Sequence, residues 1–200
     1  MKEVRGVDLD EVEFETLDAI LEFHDYKING IQVTREDITD YHIHNIKKLN
    51  ISKDESNERF HSFLRSEKVH DIKPVQWAKE ILQILQSQGK EFVDITGRLD
   101  AYKERTMKAL EKYYSGLISE VIFLNAYADL SSSQVTKRTK SEICKEIWAT
   151  VMVEDDLHYA YELGDNGIKV YLLAKPWNAQ YQNGMHPDII KVSWREKIPV

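Results

Sequence analysis

Short β-branched runs alternate with amphipathic helical stripes along most of this chain, an order that restricts it to an α/β fold built on a largely parallel sheet. The runs are Val4–Val7, Phe92–Ile95, Val121–Leu124, Thr150–Val153 and Ile168–Leu173, with Ile189–Val192 as a last edge strand. Between them, Phe14, Leu17, Ile20 and Leu21 make one helical stripe. Pro74 is expected to open a second helix, with Ala78, Ile81, Leu82 and Leu85 on one face and Gly89 closing it. Further helices are expected from about Asp100 to Tyr114, over Ser141–Ile147 and around Leu157–Leu163. Val4–Val7 is the weakest strand, because Arg5 and Gly6 stand where a buried parallel strand prefers branched apolar residues. From about Thr34 to Asp71 the rhythm breaks: the stretch is polar, holds His42, His44, His61 and His70, and has no strong strand. It reads as a small helical insert, since a structureless loop of that length is uncommon. The expected organisation is therefore a core of residues 1–30 and 72–200 with an insert over 31–71, together one compact unit. Asn125–Thr139, with its run of serines, reads as a surface connection.

Charge and composition narrow the function classes. Lys and Arg number 27 against 34 Asp and Glu, a net charge of −7, which argues against binding a nucleic-acid polymer through many neutralised phosphates. A small phosphorylated ligand stays compatible, because one local site can differ from the net charge. The lone cysteine, Cys144, excludes an intrachain disulfide framework and a cysteine-based zinc site, and fits a reducing, cytoplasmic compartment. No apolar run approaches the roughly 18 residues of a membrane span, and the N-terminus turns acidic too soon for a signal peptide.

Chemistry-bearing residues fall at the expected strand ends, where ligands gather in open α/β sheets. Asp8 and Asp10 leave the first strand two residues apart, able to hold Mg²⁺ or to divide nucleophilic and acid–base work. Thr96 and Gly97 follow the second central strand, Lys140 starts a helix, and Glu154-Asp155-Asp156 follows Val151–Val153. A nucleophile pair, a hydroxyl, a lysine and a second carboxylate cluster are what Mg²⁺-assisted phosphoryl transfer requires. Each residue also has a plainer role open to it. Thr96 could cap the following helix, Lys140 could be solvated like Lys137 and Lys145, and Arg98 could pair with a surface carboxylate. His42 and His44 alternate like metal ligands but also like exposed histidines, and Trp177 reads as a packed loop anchor or a base-stacking ring.

In order along the chain, these residues resemble the motifs of the haloacid dehalogenase superfamily: Asp8-Leu9-Asp10-Glu11-Val12, Thr96, Lys140 and Glu154-Asp155. Asp94-Ile95-Thr96-Gly97-Arg98, Lys140–Glu146 and Lys175-Pro176-Trp177-Asn178 look most like the 5′(3′)-deoxyribonucleotidase-like branch. The resemblance implies a Rossmannoid parallel sheet with a helical cap inserted after the first strand, acting on a small phosphomonoester such as a nucleotide. It implies that Asp8 becomes an aspartyl-phosphate while Asp10 is general acid and then base. Mg²⁺ would be held by Asp8, the Asp10 carbonyl and Asp155, with Glu154 acting through water. Thr96, the Gly97 amide and Lys140 would neutralise the phosphoryl charge, and Arg98 stands where it could contact the substrate.

The sequence departs from that pattern at Glu11, where the superfamily has Gly, at Asp94 within an apolar strand, at Glu154 for Asp, at Leu99 for a common proline, and at Arg5. A Glu11 carboxylate beside an incoming phosphate predicts repulsion, and so a faster Glu11→Gly enzyme at low salt; the other reading turns Glu11 outward as a helix cap. These departures leave open a catalytically weak relative that binds a nucleotide or a protein partner. A signalling receiver domain, suggested by Lys175-Pro176, fits less well, because Asn125 rather than Asp follows the Val121–Leu124 run.

Overall fold

A computed structural model of the chain describes residues 3–126 and 138–193, so most of the Asn125–Thr139 connection lies outside the described residues. The chain starts with strand β1 (Glu3–Val7), then helix α1 (Thr16–Phe23), a hairpin of β2 (Lys27–Ile28) and β3 (Ile31–Gln32), and three single 3₁₀ turns. Helices α2 (Lys53–Arg65) and α3 (Ala78–Ser87) precede β4 (Lys90–Thr96), α4 (Lys103–Tyr114) and β5 (Ile118–Phe123). The rest is α5 (Lys140–Glu146), β6 (Val151–Glu154), α6 (Leu157–Asp165), β7 (Lys169–Leu173) and β8 (Ile189–Val192). Among the described residues no helix is long and apolar enough to cross a membrane.

Six strands form one sheet in the order β5-β4-β1-β6-β7-β8, all parallel, with helices on both faces. The chain runs outward from β1 through β4 to β5, then crosses back and continues from β6 to β8. Strand order therefore reverses between β1 and β6, and that switch point is where a doubly wound sheet opens its ligand crevice. Alternation along the strands sorts the core. Val7, Phe92, Val151 and Val153 pack with α1, α3 and α4, while Val93, Ile95, Met152 and Val170 pack with α5 and α6. The weak first strand lies at the centre of this sheet. Gly6 belongs there because a Cβ would come within 2.5 Å of Met152 Sδ and 3.1 Å of Ile95 Cδ1.

One local expectation is corrected, and one element was not foreseen. Pro74 does not open α3, which starts at Ala78. Residues 73–75 instead run beside 13–15, with Glu15 N–H on Lys73 O (2.9 Å) and Val75 N–H on Glu13 O (2.7 Å). Proline lacks the N–H that this ladder does not need from it. The stretch between α1 and α3 holds one α-helix and four 3₁₀ turns, together with the unanticipated β2–β3 hairpin. Asn29 and Gly30 turn that hairpin with φ of 52° and 78°, the left-handed geometry of a two-residue turn. Val33, Ile38, Leu49, Phe63 and Leu64 from this stretch share one apolar cluster with Leu9, Phe14 and Leu17.

Asp94, the carboxylate within β4, is fully buried and faces Glu13, equally buried; among the described residues no other group donates a hydrogen bond to either. Burial pushes both well above the usual carboxylate range, joined at Glu13 by the charge of Asp94 and at Asp94 by that of Asp8, while the hydrogen bond with Glu13 pulls Asp94 the other way. Neutral carboxyls favour the fold, so their contribution is complete below the unfolded pKa near 4 and is lost as pH rises toward the folded values. Denaturant titrations from pH 5 to 9 are expected to show stability falling, with a shallower slope in Asp94→Asn. Each proton linked to unfolding accounts for about 1.4 kcal/mol per pH unit. Equal slopes in the two proteins would remove the pair from this role.

Candidate active site

The carboxyl ends of β1 and β6 bring four ionisable side chains into contact. Asp8 leaves β1 with its N–H bonded to Val153 O at 2.9 Å, which fixes it against β6. Its Oδ1 accepts from Lys140 Nζ at 2.5 Å, and the same ammonium donates to Glu154 Oε2 at 2.6 Å. Lys140 is the first residue of α5, whose start is set by Thr139 and Glu142 capping each other. Ser141 hydrogen-bonds Glu162 and so pins that start to α6. The buried ammonium also lies 4.6 Å over the Tyr159 ring. Glu154 uses its other oxygen to accept from the Asp155 and Asp156 amides at 3.2 and 3.1 Å. Asp155 accepts from Trp177 Nε1 at 2.9 Å, and its carbonyl accepts from Asn178 Nδ2 at 2.8 Å.

Asp8, Glu154 and Asp155 each place a carboxylate oxygen within 4.8 Å of the other two, all buried. One lysine against three carboxylates leaves negative charge in excess, and the titration behaviour shows it. Burial, with Glu154 and Asp10 nearby, outweighs Lys140 and pushes Asp8 up to about 7. Burial and the charges of Glu154 and Asp8 push Asp155 well above the ordinary range, and Glu154 is raised mainly by burial. The same carboxylates oppose the desolvation of Lys140 and keep it firmly protonated. A compact set of hard oxygen donors short of positive charge fits Mg²⁺. Among the described residues this is the only such cluster, and it excludes His42 and His44, whose rings stack on each other 5.4 Å apart.

Asp10 belongs to an adjoining pair. Arg98 spans its two oxygens with Nε at 3.1 Å and Nη2 at 2.6 Å, Thr16 donates to it, and Arg98 Nη1 reaches Thr106 Oγ1 at 3.0 Å. Burial would raise Asp10, but the charge and hydrogen bonds of Arg98 overcome it and hold the carboxyl below its usual range. Arg98 is thus a buried partner of Asp10 rather than a surface one. Thr96 and Gly97 end β4 at the same edge of the sheet, since Val7 pairs with Asp94. Thr96 is not a helix cap: its Oγ1 accepts from Arg98 N–H at 3.2 Å, while α4 starts only at Lys103. Thr16, Thr106 and Asn178 received no site role from the sequence, and only Asn178 lay in a segment singled out there.

Glu11 overturns the repulsion argument. Its φ is +67°, a left-handed conformation that suits glycine. The side chain does cap α1, accepting from Leu17 N–H at 2.6 Å, but it is buried rather than turned out to solvent. Its second oxygen is ion-paired with Arg35 and lies 3.4 Å from Lys175 Nζ; Arg35 also binds Asp18 at 2.8 Å. The carboxylate is neutralised in place, so Glu11→Gly is not expected to speed any reaction at low salt. Losing the cap and the partly buried pair outweighs about 1 kcal/mol of relieved backbone strain. Stability should fall by about 2 kcal/mol, read by denaturant unfolding. A variant as stable as wild type, or faster at low ionic strength, would restore the repulsion argument.

No protein-family model and no curated protein sequence matches the chain. Solved structures do. The Protein Tyrosine Kinase A (PtkA) of Mycobacterium tuberculosis superposes with a TM-score of 0.59 at 11% identity, covering 91% of this chain and 88% of its own. A predicted phosphoglycolate phosphatase from Haemophilus somnus 129PT gives 0.56 at 14% identity, covering 94% and 93%. The magnesium-bound HAD-hydrolase YfnB from Bacillus subtilis gives 0.55 at 9% identity, covering 94% of each chain. The chain therefore shares the Rossmann-type fold of haloacid dehalogenase superfamily hydrolases along nearly its whole described length.

Proposed function

We propose that this chain is a Mg²⁺-dependent phosphomonoester hydrolase that forms an aspartyl-phosphate on Asp8. The observation that carries this reading is the buried cluster of Asp8, Glu154 and Asp155 around Lys140, at the point where the strand order reverses. Its fold is that of proteins named as phosphatases and HAD-hydrolases, which supports the same chemistry. Asp8, Asp155 and the Asp10 carbonyl would hold the ion, with Glu154 acting through water; when bound, Mg²⁺ supplies positive charge to the phosphoryl oxygens.

In the first step an Asp8 carboxylate oxygen attacks phosphorus, the ester P–O bond breaks, and protonated Asp10 gives its proton to the departing oxygen, leaving an alcohol, an acyl phosphate and an Asp10 carboxylate. In the second, water attacks that phosphorus, Asp10 takes its proton, and Asp8 leaves as carboxylate with release of inorganic phosphate. Arg98 keeps Asp10 in the ionised form that this second step needs. Protonating a departing alkoxide requires Asp10 to gain a proton against that pairing, which favours leaving groups of low basicity. Lys140, the Thr96 hydroxyl and the Gly97 amide stabilise charge on the transferred group. The stretch over 31–71 serves as a cap that limits bulk water. A nucleoside monophosphate, expected from the resemblance, is one candidate substrate. The test is a screen of phosphomonoesters with purified protein. Turnover should appear with Mg²⁺, stop with excess chelator and return on re-addition; turnover insensitive to chelator would take Asp155 out of a metal site.

A further inference from the structure

Carboxylates that together hold an ion each need an orienting donor, because the last torsion of an aspartate side chain is broad and does not fix the plane of its oxygens. In the candidate active site Lys140 orients Asp8 and one oxygen of Glu154, and the Asp155 and Asp156 amides hold the other oxygen of Glu154. The Asp155 side chain has a different partner. Among the described residues its only donor is the Trp177 indole N–H, 2.9 Å from Oδ2, and no group donates to Oδ1. A buried indole N–H needs an acceptor, and a neutral carbonyl would meet that need. Here the acceptor is a carboxylate of the cluster that Asp8, Glu154 and Asp155 form.

The turn that carries the indole is itself fixed to the strand ends. Asn178 is fully buried, and its Nδ2 donates to Asp155 O and to Leu173 O, both at 2.8 Å. Leu173 ends β7 and Asp155 is the first residue beyond β6, so one side-chain amide ties the two chains together where their ladder stops. Asn178 Oδ1 accepts from Lys175 N–H at 3.1 Å, and Lys191 of β8 donates to Asn178 O at 2.8 Å. The Trp177 ring is buried, with the Arg35 guanidinium 5.9 Å and the Lys175 ammonium 5.8 Å from its centre. Two consecutive residues of one turn thus hold Asp155, Asn178 by its backbone and Trp177 by its carboxylate.

Resting on the Mg²⁺-dependent hydrolase reading above, we infer that Trp177 is a positioning residue whose indole N–H sets the Asp155 carboxylate for the metal ion. A packed loop anchor needs only a ring of the right size, and a stacking surface needs only a ring face. This role belongs to the N–H edge alone. Without that donor the carboxylate is free to turn about its last torsion, and the ion binds a less ordered set of oxygens. Removing a hydrogen-bond partner of a metal ligand costs about 10–100-fold in metal affinity. The chemical step, once the ion is bound, loses little, because Trp177 acts through Asp155.

The test measures Mg²⁺ binding by calorimetry, and the Mg²⁺ dependence of turnover of an aryl phosphate, in three proteins. They are the wild type, Trp177→Phe, and a protein with benzothienylalanine in place of Trp177, in which sulfur replaces the N–H within a ring of the same shape. Both substitutions should weaken Mg²⁺ binding about tenfold or more, while kcat at saturating Mg²⁺ stays within about threefold of wild type. In the wild type the Trp177 indole N–H resonance, identified by its loss in Trp177→Phe, should shift as Mg²⁺ binds. Mg²⁺ bound as tightly by the benzothienylalanine protein as by wild type overturns the inference and leaves the hydrolase reading standing, even if Trp177→Phe fails to fold. A loss confined to kcat at unchanged affinity overturns it too, as does an indole resonance that Mg²⁺ binding leaves in place. Should the wild type bind Mg²⁺ and hydrolyse no ester, the hydrolase reading fails and the ratio of affinities alone decides the role of Trp177. A wild type that binds no Mg²⁺ overturns both.

Discussion

Asp8→Asn is expected to abolish phosphomonoester hydrolysis, by about 10³-fold or more, and to leave the metal-free protein at least as stable as wild type. The two effects have one origin. Asp8 is a buried carboxylate whose pKa is pushed up to about 7 by burial, despite Lys140 beside it. Its unfolded value lies near 3.9, so stability linked to its proton is complete below that pH and is lost as pH rises through about 7. Asparagine has no proton to lose, and the variant's advantage should be greatest above pH 7 in chelator. Adding Mg²⁺ should reverse the order, because ligand binding stabilises the protein that binds it more tightly. Thermal unfolding at pH 5 and 8, with chelator and with Mg²⁺, separates these cases. Hydrolysis at the wild-type rate by purified Asp8→Asn would sink the nucleophile assignment outright.

The layout of this site was legible because strand ends are local features. Val7-Asp8, Thr96-Gly97 and Val153-Glu154-Asp155 each follow a short apolar run, and a parallel sheet brings such ends to one edge whatever its strand order. Lys140 was legible by its place at a helix start and by the motif order that it shares with the family it resembles. The pairings were not, because they join residues far apart in sequence. Glu11 meets Arg35 and Lys175, which are 24 and 164 residues away, and those two cations decide whether its charge repels a phosphate or holds a loop. Asp94 looked like a blemish in a strand until Glu13 proved to face it, and Arg98 closes on Asp10 across 88 residues.

In the fold, the long amphipathic stripes and the strands of apolar runs read true, while the exceptions have physical causes. Gly6 and Arg5 weakened the pattern of β1, yet close approach of Met152 and Ile95 is what a central strand needs a glycine for. Pro74 carried a helix-start signal, but the backbone of Glu13 and Glu15 took its neighbours into a short ladder first. The β2–β3 hairpin is two residues a side and too short for periodicity to show, although Asn29-Gly30 named its turn.

Lys140→Met is expected to cost the metal-free protein about 3–5 kcal/mol near pH 8, the usual penalty for stripping the partner from a buried charge. Methionine keeps the length and the apolar stem of lysine, so lost packing contributes little. What remains is Asp8 and Glu154 without their shared ammonium, beside Asp155, in a space that water does not reach. All three carboxyls already sit above their ordinary range, and losing Lys140 removes a charge that lowers two of them, so both rise further. Raised carboxyl values place the loss on the alkaline side: the penalty should be small at pH 5, where the cluster takes up protons, and grow through neutrality. A divalent cation supplies the missing charge, so saturating Mg²⁺ should recover much of the stability and raise the variant's midpoint more than the wild type's. Turnover should stay low even then, about 10²-fold or more below wild type, since no ammonium faces the transferred phosphoryl group. The double variant Lys140→Met/Glu154→Gln removes one carboxylate along with the lysine and should regain part of the metal-free loss. Denaturant midpoints for these proteins at pH 5 and 8, in chelator and in Mg²⁺, test each step. A loss that is the same at both pH values and unchanged by Mg²⁺ would mean that Lys140 is a packing residue and that the three carboxylates are not the seat of a metal.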